Sequence, residues 1–311
     1  MPTAAQITPD LAAGIVEHDF GRELAQRERR FAAALLAPAF LALMATTTFP
    51  LLCLVYTSAF RMDLAMPFSN GFVGFENYRV LLADERFWSS LLVSLVYTGS
   101  TVILQVVIGL ALALLVMDMK RGQGLFRLIA ILPVVLSPAV VGMIWRTFML
   151  APEFGIVDFL SINAGLGSQN WLGDPLLATV SVILIHTWQW TPFAFMVLLA
   201  SLAALPEDIY EAARLDRASA WQRFRRITLP LLRPAIVMVI IMRTMVALTA
   251  FAAIFTVTGG GPGTATEILN LYAYRKSFTE LSIGYGSVLA VALLIVTIIV
   301  SGILFALRRA K

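Results

Sequence analysis

A chain of 311 residues that is 59% hydrophobic and 14% charged, with its charges clustered between long apolar stretches, is not a soluble domain with an ordinary polar surface. The net charge of +4 sits mostly on segments flanking those stretches, so it bears on membrane orientation and gives no ground for a nucleic-acid partner. The single cysteine, Cys53, excludes an intrachain disulfide and a cysteine-based metal site.

Residues 1–30 form an arm of mixed charge. Leu11, Ile15, Phe20 and Leu24 have helical spacing, so this arm either lies along the inner membrane surface or is a disordered tail. After it come six segments near the roughly 20 apolar residues that cross the hydrocarbon layer: Phe31 to Phe60, Phe87 to Met117, Leu128 to Trp145, Pro175 to Leu205, Ala235 to Thr258, and Gly284 to Ala306. The first is uncharged, is roughly twice a secretory h-region in length and begins only after the arm, so it reads as a permanent anchor. The fold class expected is all-α: an integral membrane domain of six transmembrane helices over 31–311, with both termini on one side.

Arginine and lysine set the orientation. Arg22, Arg27, Arg29, Arg30, Lys120, Arg121, Arg127, the arginines between Arg214 and Arg233, Arg308, Arg309 and Lys311 share one side. They outnumber Arg61, Arg79, Arg86, Arg146, Arg275 and Lys276 on the other. The richer side, with both termini, is expected in the cytoplasm of a bacterial inner membrane. The loops on the poorer side are short, too small to fold into a solute-binding domain of their own. The last of them holds "TGGGPGT", Thr258 to Thr264, which lacks phosphate-loop spacing and any lysine. Two readings of it stand: a flexible turn leaving the fifth span, or a partner-contact surface formed by Gly259, Gly260, Gly261 and Pro262.

The fourth and fifth spans contain ionisable groups, His186 and Arg243. Around His186 runs "HTWQWTPF", whose aromatic faces and amides suit sugar binding in kind. Trp188, Gln189 and Thr191 are therefore candidates for a solute path, with Trp190 turned to lipid or a neighbouring helix. The alternative is helix packing with a kink at Pro192. Arg243 either snorkels to the cytoplasmic surface or faces the path or a carbonyl or acidic partner. His186 reads as a packed, hydrogen-bonded histidine, and every Asp and Glu falls outside the spans, which disfavours an ion-gradient carrier or channel. No HExxH pair, histidine cluster or paired nucleophile and base points to an enzyme.

Between the fourth and fifth spans, at about 206–234, lies "YEAARLDRASAWQRFRRITLPLL". Pro206, Glu207 and Asp208 start a helix. Ser219 and Gln222 have capping-box spacing for a second, and Pro230 and Pro234 end or bend it where it enters the membrane. Tyr210, Ala212, Ala213 and Leu215 form a small apolar face that either inserts into a partner or packs on the chain's own spans.

"EAARLDRASAWQRFRRITLPLL" resembles the EAA loop of ABC-importer permeases. "FVGFENYRVLLADERFW", "LPVVLSPAVVGMIWRTF", "TGGGPGTATEIL" and "GYGSVLA" resemble the MalF-like, carbohydrate-importer branch in the same order. The resemblance implies a non-enzymatic permease subunit of a binding-protein-dependent type I importer that works by alternating access. The implied partners are a second, homologous permease, two ATPase subunits, an extracytoplasmic solute-binding protein, the lipid membrane and a sugar or sugar-like solute. ATP and Mg belong to the ATPase, and this chain needs no cofactor or metal. Glu211, Ala212, Ala213, Leu215, Asp216 and Arg217 become the coupling segment docked on the ATPase. Where the family has glycine after the aspartate, this chain has Arg217, and it has Ala252 near a position where many relatives carry an aspartate.

Overall fold

The computed structural model describes residues 27, 28 and 30–309, and helices make up most of it. The chain divides into two units, Met1–Tyr56 and Thr57–Lys311. The first contributes most of helix α1, Arg30–Ser58, whose Phe31, Leu35, Phe40 and Leu52 side chains are exposed. The possible surface helix from Leu11 to Leu24 lies outside the described residues.

The second unit opens with a short antiparallel pair, β1 (Phe60–Arg61) on β2 (Gly71–Phe72). Helix α2 (Glu76–Ala83) follows, and then α3 (Glu85–Asp118), which begins at Asp84 because that carboxylate accepts the Arg86 N–H at 2.9 Å. The third apolar segment is not one straight span. It is two helices, α4 (Gln123–Val135) and α5 (Pro138–Met149), meeting at 96°. Leu136 and Ser137 are extended ahead of Pro138, which has no N–H to continue the first helix and sits naturally at the start of the second.

After α6 (Ile156–Asn163), the central helix α7 (Pro175–Ala203) starts at Asp174, whose side chain caps Leu176 and Leu177. It packs on α3 so closely that a Cβ on Gly109 would lie 2.9 Å from the Phe195 backbone nitrogen. Ala113, Val116, Ala194, Phe195 and Leu198 form the core there, joined by Leu232 and Val239. The short helix α8 (Glu207–Leu215) leads to α9 (Ala220–Leu248).

Helix α9 begins earlier and ends earlier than the Ala235-to-Thr258 segment expected, and neither Pro230 nor Pro234 ends it. A π-turn at Phe224–Thr228 widens the helix just ahead of Pro230, where a proline ring would otherwise press on the carbonyl four residues back. The helix stops at Thr249 because the Asn270 side chain takes the free carbonyls of Thr249 and Ala250 at 3.1 and 3.4 Å. The chain restarts as α10 (Ala252–Val257), then α11 (Leu269–Tyr274) and α12 (Ile283–Arg309).

Candidate functional site

Three groups of residues stand apart from ordinary packing, at the two ends of the helices and between them. At the basic end, α8 starts after Pro206 with Glu207 and Asp208 in its first turn, where the helix dipole favours acids. It closes with the Ala218 N–H on the Ala213 carbonyl and the Arg217 N–H on the Arg214 carbonyl, both at 3.0 Å. This paired closure needs a left-handed residue between Asp216 and Ala218, and Arg217 takes it with φ +55°. The next helix begins with the expected capping box, Ser219 and Gln222 bonding each other's backbone.

Helix α8 uses one side on its own chain. Tyr210 meets the Thr228 hydroxyl at 3.0 Å, and Ala213, three residues on, is buried. Ala213 therefore offers no surface to a partner, contrary to the expectation for it. Glu211, Ala212, Leu215, Asp216 and Arg217 are exposed, Leu215 at 85%, and Trp221 nearby at 64%.

Between the ends, the residues expected on a solute path separate. Trp188 is 43% exposed on a stripe with Val180 and Leu184, and its ring meets Trp145 edge-on. Gln189 is buried and donates to the Leu136 carbonyl at 3.0 Å, satisfying the backbone freed where α4 breaks from α5. Thr191 is buried and donates to the Thr187 carbonyl of its own helix. Arg243 does not snorkel and is buried at 2% exposure. Its Nε donates to Gln105 Oε1 at 2.8 Å, its Nη2 meets His186 Nε2 at 3.2 Å, and its guanidinium lies 4.4 Å from the Trp190 ring centroid. A guanidinium only donates, so His186 accepts at Nε2. Of the four path candidates, only Trp188 keeps an exposed side chain. Gln189, one step of 100° from Trp188, turns to the break between α4 and α5, and Thr191, two further steps on, is buried with its hydroxyl on its own helix.

At the opposite end, the glycine-rich loop is tied down rather than free. Glu267, fully buried, accepts two bonds from Arg86 at 2.7 and 2.9 Å and one from Arg275 at 2.6 Å. Arg275 also donates to the Gly259 carbonyl. Thr266 bonds the Gly261 carbonyl and the Thr258 hydroxyl. Gly260 has φ +95°, and a Cβ there would meet Leu271 at 2.9 Å, so glycine is required. Gly259, Gly261 and Pro262, each part-buried, complete the same tight loop. Nearby, burial alone would raise the Asp84 carboxyl, but hydroxyls of Tyr272 and Tyr285 and the backbone of Arg86 hold it below the usual carboxylate range. Asp158, in the first turn of α6, accepts from the Gln169 N–H, the Ser168 hydroxyl, the Glu153 N–H and the Trp171 indole, which hold its carboxyl down to about 2.

The sequence reading singled out neither Gln105 nor Glu267. Gln105 had a weak signal, an amide within an apolar span, and its partner lies 138 residues away. Glu267 lies inside a recognised motif, but Arg86 is 181 residues distant. Among the described residues, no group of three or more His, Cys, Asp or Glu side chains could hold a metal ion.

Residues 105–310 match the family model described as "Binding-protein-dependent transport system inner membrane component". The trehalose/maltose transport system permease protein MalF of Thermococcus litoralis is 32% identical over 84% of this chain and 88% of its own. The sulfoquinovosyl glycerol transport system permease protein SmoG of Agrobacterium fabrum is 35% identical over 91% and 92%. A crystal structure of a bacterial alginate ABC transporter in complex with an alginate pentasaccharide-bound periplasmic protein aligns at a TM-score of 0.78 and 21% identity, covering 89% of this chain and 93% of that one.

Proposed function

Since the chain belongs to the family of binding-protein-dependent transport system inner membrane components, and is a multi-pass ABC permease rather than an enzyme, we propose that it imports a sugar or sugar-like solute by ATP-driven alternating access. The solute is an oligosaccharide, a disaccharide or a related polyol or sugar phosphate. The chain pairs with a second, homologous permease and two ATPase subunits, and takes solute from an extracytoplasmic binding protein. ATP and Mg sit in the ATPase. The basic end and both termini face the cytoplasm of a bacterial inner membrane, in keeping with its excess of arginine and lysine.

The observation that carries this reading is α8. It projects Leu215 into the open at 85% exposure beside Glu211 and Ala212, while Tyr210 and Ala213 anchor it from behind. An exposed leucine on a rigidly backed helix turn suits insertion into a groove of a partner. Glu211 supplies a charge at its rim. The sugar class is supported by the relatives, named for trehalose, maltose and sulfoquinovosyl glycerol. Trp188 remains the path candidate with an exposed aromatic face. Gly259 to Pro262 form a rigid surface on which a binding protein docks.

Purification of the tagged chain from gently solubilised native membranes tests the reading, beside a variant carrying Glu211→Ala and Leu215→Asp. A second permease and an ATPase should accompany the native chain, and the ATPase should be missing from the variant. A chain that emerges alone and moves solute in vesicles without ATP would overturn the proposal.

A further inference from the structure

Arg243 is buried without an ion-pair partner among the described residues. A buried charge is a poor device for stability, since an apolar side chain of similar volume is often neutral or better. What its bonds do supply is direction. The Arg243 Nε reaches Gln105 on α3 at 2.8 Å, and its Nη2 reaches His186 on α7 at 3.2 Å. The guanidinium rests 4.4 Å from the centroid of Trp190, also on α7. Gln105 in turn donates to the His186 carbonyl at 3.4 Å, so the amide bridges both neighbours. Sliding α9 by one residue, about 1.5 Å, would break this set at once.

The helix that carries Arg243 is also the one that rises from the α8 segment, unbroken from Ala220 to Leu248. We propose that Arg243 is a positioning residue, a latch that fixes the register of α9 against α3 and α7 so that motion entering at α8 reaches those two helices as one body. The delivery of motion rests on the reading of α8 as the ATPase-docking segment; the register lock does not. Buried at this point, Arg243 presents no surface to a solute.

The test uses the intact complex from native membranes in nanodiscs, in a cysteine-free background that needs only Cys53→Ser in this chain. Spin labels go on Leu184→Cys of α7 and Val246→Cys of α9, both exposed positions. Pulsed electron resonance reads the distance between them, at rest and after trapping with Mg-ATP and vanadate. With Arg243 present the distribution should be narrow and the same in both states. Arg243→Met should at least double its width at rest while thermal stability holds, an outcome that a purely packing role would not give. A narrow, unchanged distribution in Arg243→Met overturns the latch. If that variant fails to assemble, Gln105→Leu, which leaves Arg243 on His186, gives the same reading at rest, and a narrow distribution there overturns it equally. Failure of the parent complex to trap nucleotide would overturn the importer reading and the delivery of motion, while the resting widths still decide the register lock.

Discussion

Replacing Glu267 by glutamine changes one buried atom and puts a donor where an acceptor was. Oε1 accepts from Arg86 and Arg275, and a glutamine oxygen placed there keeps both bonds. The amide nitrogen then faces the Arg86 Nε, which the carboxylate meets at 2.7 Å, so one charge-assisted bond is lost and two donors oppose each other. A hydrogen bond to a charged group is worth about 1.5–3 kcal/mol. Both arginine side chains are about one-third exposed, so water softens their loss. The expected cost is about 2–3 kcal/mol, or a fall of about 4–6 °C in Tm at about 2 °C per kcal/mol for a chain of this size. Thermal unfolding of the purified complex reads it, together with limited proteolysis across 258–266, where cleavage should rise because Arg275 also holds the Gly259 carbonyl. A Tm within about 1 °C of the parent and an unchanged cleavage rate would refute the claim that Glu267 organises this loop. Replacing both Arg86 and Glu267 by methionine should not recover the loss, since Arg275, which also donates to Glu267, is then left without its carboxylate.

Arg217→Gly should stabilise the turn after α8 by about 1 kcal/mol by removing a left-handed non-glycine residue, seen as slower hydrogen exchange at the Ala218 amide. Gly109→Val should cost about 1–3 kcal/mol or more by overpacking, because the first added carbon already meets Ala194 and Phe195 at 2.9 Å; a folded yield and Tm equal to the parent would contradict the close α3–α7 packing. For Asp158, the folded carboxyl lies below its ordinary value of 3.8, so its contribution is complete above about 3.8 and fades as pH falls through about 2. Trp171 fluorescence should hold steady from pH 5 to 3 and change near 2, and Asp158→Asn should abolish that transition; a midpoint near 3.8 would mean that the four bonds to this carboxylate do not form.

Much of this architecture was readable because bilayer crossing imposes length. Pro175 to Leu205 and Phe87 to Met117 are apolar enough to announce α7 and α3 to within two residues at either end. Local chemistry was readable too: Ser219 and Gln222 cap as their spacing demands, and Arg217 takes the left-handed turn where the family has glycine. The break between α4 and α5 was hidden because hydropathy stays high through Leu136, Ser137 and Pro138, and a composition window does not register a 96° bend. Trp188, Gln189 and Thr191 were equally suitable in kind for a path, and only the packing of neighbouring helices separates them. The partners of Arg243 and Glu267 lie on distant segments, and no local pattern reports such pairing. Ala213 shows the same limit at short range, since the face it occupies is decided by Tyr210 reaching Thr228.

The unbroken run of α9 has a mechanical consequence. Its 29 residues, at about 1.5 Å each, make a rod of about 43 Å, and Arg243 stands about 35 Å from the end nearest α8. Held there against α3 and α7, a rod so long turns a swing of about 3 Å at the basic end into a tilt of about 5° that all three helices share. The few residues beyond that point barely travel. A stroke at one membrane surface would then be felt at the far surface as rotation and scarcely as displacement, which is the gearing a gate needs if it is to open without dragging its hinge.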